Sequence, residues 1–106
     1  MAVSYFVCYR GKSDDPAAFV RYYRDSHLPL VRKFPGVISV VLHVGADADA
    51  PFLLMLQLVF ASRHDLDTAL ASPERMRAKA DMQNFPPFHG ETWRQISEIE
   101  DSGAPR

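Results

Sequence analysis

Cysteine is nearly absent from this chain. Cys8 stands alone among 106 residues, so no internal disulfide can form. It follows the run Val3-Ser4-Tyr5-Phe6-Val7. There it reads as a small buried hydrophobe of a strand, since nothing nearby offers the electropositive setting a reactive thiolate needs. Charge of one sign is also missing: 12 Lys and Arg against 13 Asp and Glu leave a net charge of −1. Phosphate binding demands a clear excess of cations, so nucleic acid is excluded as the main partner. No apolar stretch approaches the ~20 residues that span a bilayer. No charged-then-apolar leader precedes the first strand, which makes a cytoplasmic location the default expectation. The histidines, at 27, 43, 64 and 89, show neither the i,i+4 pair nor the Cys/His spacing of a zinc site. Neither a metal nor a cofactor is expected.

What is present reads as one domain over residues 1–100, with a loose tail at 101–106. Val3 to Arg10 is rich in aromatic and β-branched residues and predicts a strand, followed by a turn from Gly11. Asp15-Pro16 caps and opens a helix. Its apolar stripe is Phe19, Val20, Tyr23, His27, Leu30, Val31 and Phe34. Pro29 removes a donor, frees the Asp25 carbonyl and biases Leu28 away from helical angles, predicting an irregularity at 25–29. Pro35-Gly36 ends the element. Strands follow at 37–45 and 52–61. Ser62 and Ser72-Pro73 start two helical segments, the second with Met76, Ala80 and Gln83 inward. A last strand spans 88–99. Strand, helix, strand, strand, helix, strand gives an α+β, ferredoxin-like four-stranded antiparallel sheet with its helices on one face.

That arrangement leaves a second face. Ile38, Val40, Leu42 and Val44 alternate with Val37, Ser39, Val41 and His43; Phe52, Leu54, Leu56, Leu58 and Phe60 alternate with Leu53, Met55, Gln57 and Val59. A face in water should be polar, and neither is. A second copy is the simplest cover, so a homodimer through the sheets is expected.

His27 is the most informative polar residue, lying on the apolar stripe beside Pro29. Two readings stand: a structural histidine satisfied by a freed backbone carbonyl, or a general base kept neutral by desolvation in an apolar cavity. Tyr5 and Tyr23 share that cavity in the second reading. His43 is either structural or a pocket group. His64 reads as solvated, His89 and Glu91 as a surface pair, and Asp25 as too far outward to orient His27.

The run Phe19-Val20-Arg21-Tyr22-Tyr23-Arg24-Asp25-Ser26-His27-Leu28-Pro29-Leu30-Val31, continuing to Phe34-Pro35-Gly36-Val37, resembles the signature of the EthD family. Asp81 with Phe85 resembles that family's weaker second motif. The resemblance implies a dimeric α+β barrel, two ferredoxin-like units facing each other through their sheets. It carries His27 over as the candidate active group. It implies a small catabolic or biosynthetic enzyme acting on a small apolar or aromatic molecule, including a cofactor-independent, monooxygenase-like oxidoreductase. Polyketide cyclases, lactone isomerases and haem-degrading enzymes share that fold, so it does not choose a reaction. A non-catalytic binding or accessory protein and a haem-binding histidine stay open beside the enzyme.

Overall fold

The structure, a computed structural model, describes residues 1–100; the 101–106 tail lies outside them. Strand β1 (Val3–Ser13) leads to helix α1 (Pro16–Tyr22), a π-helical turn (Tyr23–His27) and helix α2 (Leu28–Val31). Strands β2 (Val37–Val44) and β3 (Phe52–Phe60) come next. Helices α3 (Arg63–Leu70) and α4 (Pro73–Asp81), a 3₁₀ turn (Met82–Asn84) and strand β4 (Phe88–Glu98) complete the chain. The sheet order is β2-β3-β1-β4, with every neighbour antiparallel. This is the ferredoxin-like α+β arrangement expected from the element order.

Local chemistry sets the helix ends. The Ala18 amide donates to Asp15 Oδ1 at 3.1 Å, and Pro16 fills the first helical position, where its missing N–H costs nothing. The Asp65 amide donates to Ser62 Oγ at 3.1 Å, and the Arg75 amide to Ser72 Oγ at 3.2 Å. Strand β1 runs three residues past the expected end at Arg10. It stays paired with β4 to Ser13↔Phe88, and the Ser13 hydroxyl donates to the Pro87 carbonyl at 2.9 Å. Gly11 and Gly90 face each other in that extension at positive φ, and a Cβ on either would strike the opposite backbone at His89 or Arg10.

The core lies between the sheet and the helices. Phe19, Tyr23, Leu54, Leu58, Phe60 and Leu66 are its largest fully enclosed side chains. Two bulges correct the expected facing of the middle strands. The register slips between Val37 and Ser39, which turns Val37 to the helix-covered face opposite Phe60 and leaves Ile38 exposed. It slips again between Tyr9 and Arg10, so Phe52 pairs with Arg10 and leaves the face of Leu54. Phe52 instead packs edge-on to Trp93, their centroids 5.7 Å apart. Cys8 is half-buried on the open face, opposite Trp93, and burial raises its thiol pKa.

The face of α4 also differs from expectation. Met76, Ala80 and Gln83 are exposed, while Ala78 is buried with Arg75, Asp81 and Met82 partly covered beside it. The helix is short and mostly charged, so apolar periodicity was a poor guide. A small alanine makes the close approach, and the Asp81 carboxylate rather than Met76 points inward.

Candidate active site

Pro29 shapes the site before any functional side chain does. It lacks the N–H that the Asp25 carbonyl needs. The chain answers by widening one turn: the Leu28 amide bonds the Tyr23 carbonyl, five residues back. Leu28 keeps helical angles, at φ −56° and ψ −37°, so the ladder shifts rather than breaks. The extra residue in the turn lets Tyr23, His27, Leu28 and Val31 all be buried, with Asp25 outside as expected.

His27 is 5% exposed. Its ring lies 4.9 Å from that of Tyr23 and 4.7 Å from that of Phe85, which meets it edge-on. Its polar partner is a side chain: Nδ1 lies 3.0 Å from Asp81 Oδ2, at the end of α4. The structural reading made that partner a freed carbonyl, and the geometry replaces it with a carboxylate. The other carboxylate oxygen, Oδ1, accepts from the Tyr22 hydroxyl at 2.7 Å and from Asn84 Nδ2 at 3.2 Å. Three donors thus fix one carboxylate. Since an ionised carboxylate only accepts, Nδ1 carries the ring proton and Nε2 keeps its lone pair. Nε2 has no hydrogen-bond partner among the described residues, yet it is not a fully enclosed orphan atom. His27 is one of the residues that line a cavity between the helices and the sheet.

Electrostatics fit that assignment. Burial pushes the His27 pKa below its ordinary 6.5, and the Asp81 hydrogen bond and charge offset only part of the fall. Burial pushes Asp81 up, but the hydrogen bonds from Tyr22, His27 and Asn84 outweigh it and leave the carboxyl below 3.8. The pair is therefore a neutral imidazole on an ionised carboxylate at neutral pH.

The cavity is about 50 Å³ and runs between helices and sheet. Tyr5, Val7 and Tyr9 of β1 form its floor, with Leu56 and Leu58 of β3. Tyr9 and Tyr23 meet at ring centroids 5.5 Å apart. Burial raises both hydroxyl pKa values, so both stay protonated donors. Two larger surface hollows, about 280 Å³ beside Gly11 and Asp47 and about 450 Å³ beside Met76 and Gln83, hold no histidine or tyrosine, while a third of about 190 Å³ is lined by the exposed His43 and mostly small or apolar neighbours. Chemistry, not size, selects the site.

Of the expected site residues, His27, Tyr5 and Tyr23 meet in this cavity. His43 does not. It is exposed on the opposite face of the sheet, where Nε2 lies 3.2 Å from Gln57 Oε1, because position 43 alternates with the inward Leu42. His89 pairs with Asp14 at 2.8 Å rather than with Glu91. Tyr9, Tyr22, Asp81 and Arg94 went unassigned in the sequence. For Asp81 a signal existed, its place in the second motif, but nothing in spacing tied it to a histidine 54 residues earlier. Among the described residues no group of three His, Cys, Asp or Glu gathers to hold a metal ion, and no helix is long and apolar enough to cross a membrane.

Known proteins resemble this chain at two depths. An uncharacterized 11.0 kDa protein from the thcB–thcC intergenic region of Rhodococcus erythropolis is 39% identical over 74 residues, 67% of this chain and 72% of that one. The crystal structure of an EthD family protein from Bacillus halodurans superposes with a TM-score of 0.80 at 23% identity, covering 94% of this chain and 100% of the other. SnoaB, a cofactor-independent oxygenase from Streptomyces nogalater, superposes with a TM-score of 0.66 at 13% identity, covering 95% of each chain. At such identities the structural likeness establishes the fold alone. A family model described as the EthD domain matches residues 13–87, a span that contains the π-turn, His27 and Asp81 and shows that this chain belongs to the EthD family.

Proposed function

We propose that this protein is a small proton-transfer enzyme in which His27 Nε2 removes a proton from an apolar or aromatic molecule in the helix–sheet cavity. The observation that carries the reading is the Asp81–His27 pair: a buried, neutral imidazole whose tautomer is fixed by a carboxylate, in a residue that lines a cavity. A base must be unprotonated with its lone pair free: burial keeps His27 neutral, and Asp81 holds the ring proton on Nδ1 and leaves Nε2 free. Tyr9 and Tyr23 are protonated donors able to hold a substrate oxygen as charge develops on it.

In the oxidative form, His27 takes the C–H proton and the resulting carbanion passes its electrons to dissolved dioxygen. The carbon–oxygen bond forms, protonated His27 returns the proton to the peroxide, and loss of water leaves a ketone. The fold shared with SnoaB supports this form. A cyclase or isomerase would use the same first step and return the proton elsewhere on the substrate. A non-catalytic binding protein is favoured by one observation, the small volume of the same cavity, about 50 Å³.

The active unit in this reading is a homodimer. Val41 and Trp93 are exposed on the open sheet face, and Phe6, Met55 and Val59 there are half-buried with no helix over them. A second copy laid on that face would cover them. Deuterium exchange into an enolisable aromatic ketone such as 2-tetralone, followed by NMR with oxygen uptake, tests the chemistry. The wild type should exceed His27→Gln by about a hundredfold or more. Equal exchange by both proteins, with binding retained, leaves only the binding role.

A further inference from the structure

The geometry points to an organic anion as the ligand of the His27 cavity: a flat apolar molecule bearing one carboxylate, held at the mouth by Arg75, Lys79 and Arg94. This rests on the proposed function for the place of the site and adds what the site takes. Arg75 and Lys79 stand one turn apart on α4, on the side of the buried Ala78. Arg94 comes from β4, where it pairs with Val7 and so shares the helix-covered face. All three line the cavity, and no Asp or Glu does. In a chain of net charge −1, that is a local bias and not a sample of the whole surface.

The three cations are also unspent. The ion pairs among the described residues are His27–Asp81, Arg63–Asp67 and His89–Asp14. None involves Arg75, Lys79 or Arg94. Asp81, the carboxylate beside the site, has both oxygens engaged by His27, Tyr22 and Asn84. A ligand carboxylate would meet three donors that pair with no carboxylate among the described residues, and guanidinium groups can grip it through two parallel hydrogen bonds.

The interior explains the rest of the ligand. Tyr5, Tyr9, Tyr23 and Phe34 line it with Leu56 and Leu58, a lining suited to a flat apolar body. The cavity volume of about 50 Å³ is too small for such a body, so side chains at its mouth must move to admit it. That mouth is made of Arg75, Lys79, Met82 and Arg94, long side chains that swing by rotamer change without moving backbone. An anion at the mouth directs the attached ring inward toward His27. The same cations then stabilise the negative charge that proton removal creates.

Calorimetry of the full chain with 2-naphthoate and 2-naphthamide, alike in shape and different in charge, tests the inference. The carboxylate should bind about tenfold tighter or more, with the gap narrowing as salt rises. Lys79→Met combined with Arg94→Met should narrow the gap to what Arg75 alone supports and leave the amide's affinity in place. Both positions are exposed, so the melting temperature should hold. His27→Gln should keep the preference, which separates this result from the base role: a fully active His27→Gln would defeat the base and leave the anion preference standing. Equal affinities, binding of neither ligand at millimolar concentration, or a preference undiminished by the double substitution each overturn the inference.

Discussion

His27, on the helix-covered side of the sheet, and His43, on its open side, differ in nearly every physical respect. His27 on the covered side is 5% exposed, wedged between Tyr23 and Phe85 and tied to a carboxylate. His43 on the open side is exposed and touches Gln57 alone among its side-chain hydrogen-bond partners. The lesson is that residue type does not make a site. Desolvation plus one aimed partner does, because together they fix protonation, tautomer and direction.

The largest expected effect comes from breaking the open face. Val59→Asp places a charge on a half-buried apolar position that the homodimer would enclose. An unpaired buried charge costs several kcal/mol, about 3–5 by comparison with broken ion pairs. Light scattering should show monomer or loss of fold, and an unchanged dimer would contradict the sheet-to-sheet arrangement.

Asp81→Asn probes the covered face. The amide nitrogen would have to oppose one of the three donors that now meet the carboxylate. We expect a loss of about 1–3 kcal/mol in denaturant unfolding, the scale for stranding a buried polar group. Turnover should fall by roughly a hundredfold, since the imidazole loses its enforced tautomer. Full turnover per folded molecule would show that Asp81 is a structural partner only.

Acid should sharpen the contrast more gently. The folded chain holds the His27 pKa below 6.5, so the unfolded chain takes up that proton first. The stabilisation is complete above pH 6.5 and is lost as pH falls through the lowered folded value. Asp81, held below 3.8, extends the loss in the same direction at lower pH. Unfolding midpoints measured from about pH 7 to about pH 5 should decline, and His27→Gln should flatten that upper part of the decline. A stability that rises on acidification through this window would mean that His27 gains its proton on folding.

The smallest effect belongs to His43→Ala. An exposed side chain with one long hydrogen bond should change stability by less than about 0.5 kcal/mol and leave turnover unchanged. A clear loss of turnover would bring the open face into the chemistry.

Much of this contrast was legible in the residues. Alternation and helical spacing gave the element order, and the apolar stripe with Pro29 marked His27 and Tyr23 as neighbours in a disturbed helix. The disturbance itself was readable, while its form was not: a π-turn and a break both answer a missing N–H, and packing decides between them. The facing of Val37 and Phe52 was beyond reach because a bulge inverts sidedness without any change of composition. Asp81 was hidden for a different reason. It comes from a helix too polar for periodicity to orient, and its contact with His27 exists only once α4 is docked against the first helical segment. Arg94 reads as one more surface cation until its strand register turns it toward the cavity.

The central claim is that His27 is a neutral base with its proton on Nδ1. Nitrogen-15 NMR of the histidine rings in the full-length protein, titrated with pH, reads both properties at once. The account predicts that at pH 7 His27 is neutral, with Nδ1 protonated and Nε2 bare, and that it titrates below 6.5. A doubly protonated ring at pH 7, or a proton resting on Nε2, would contradict it.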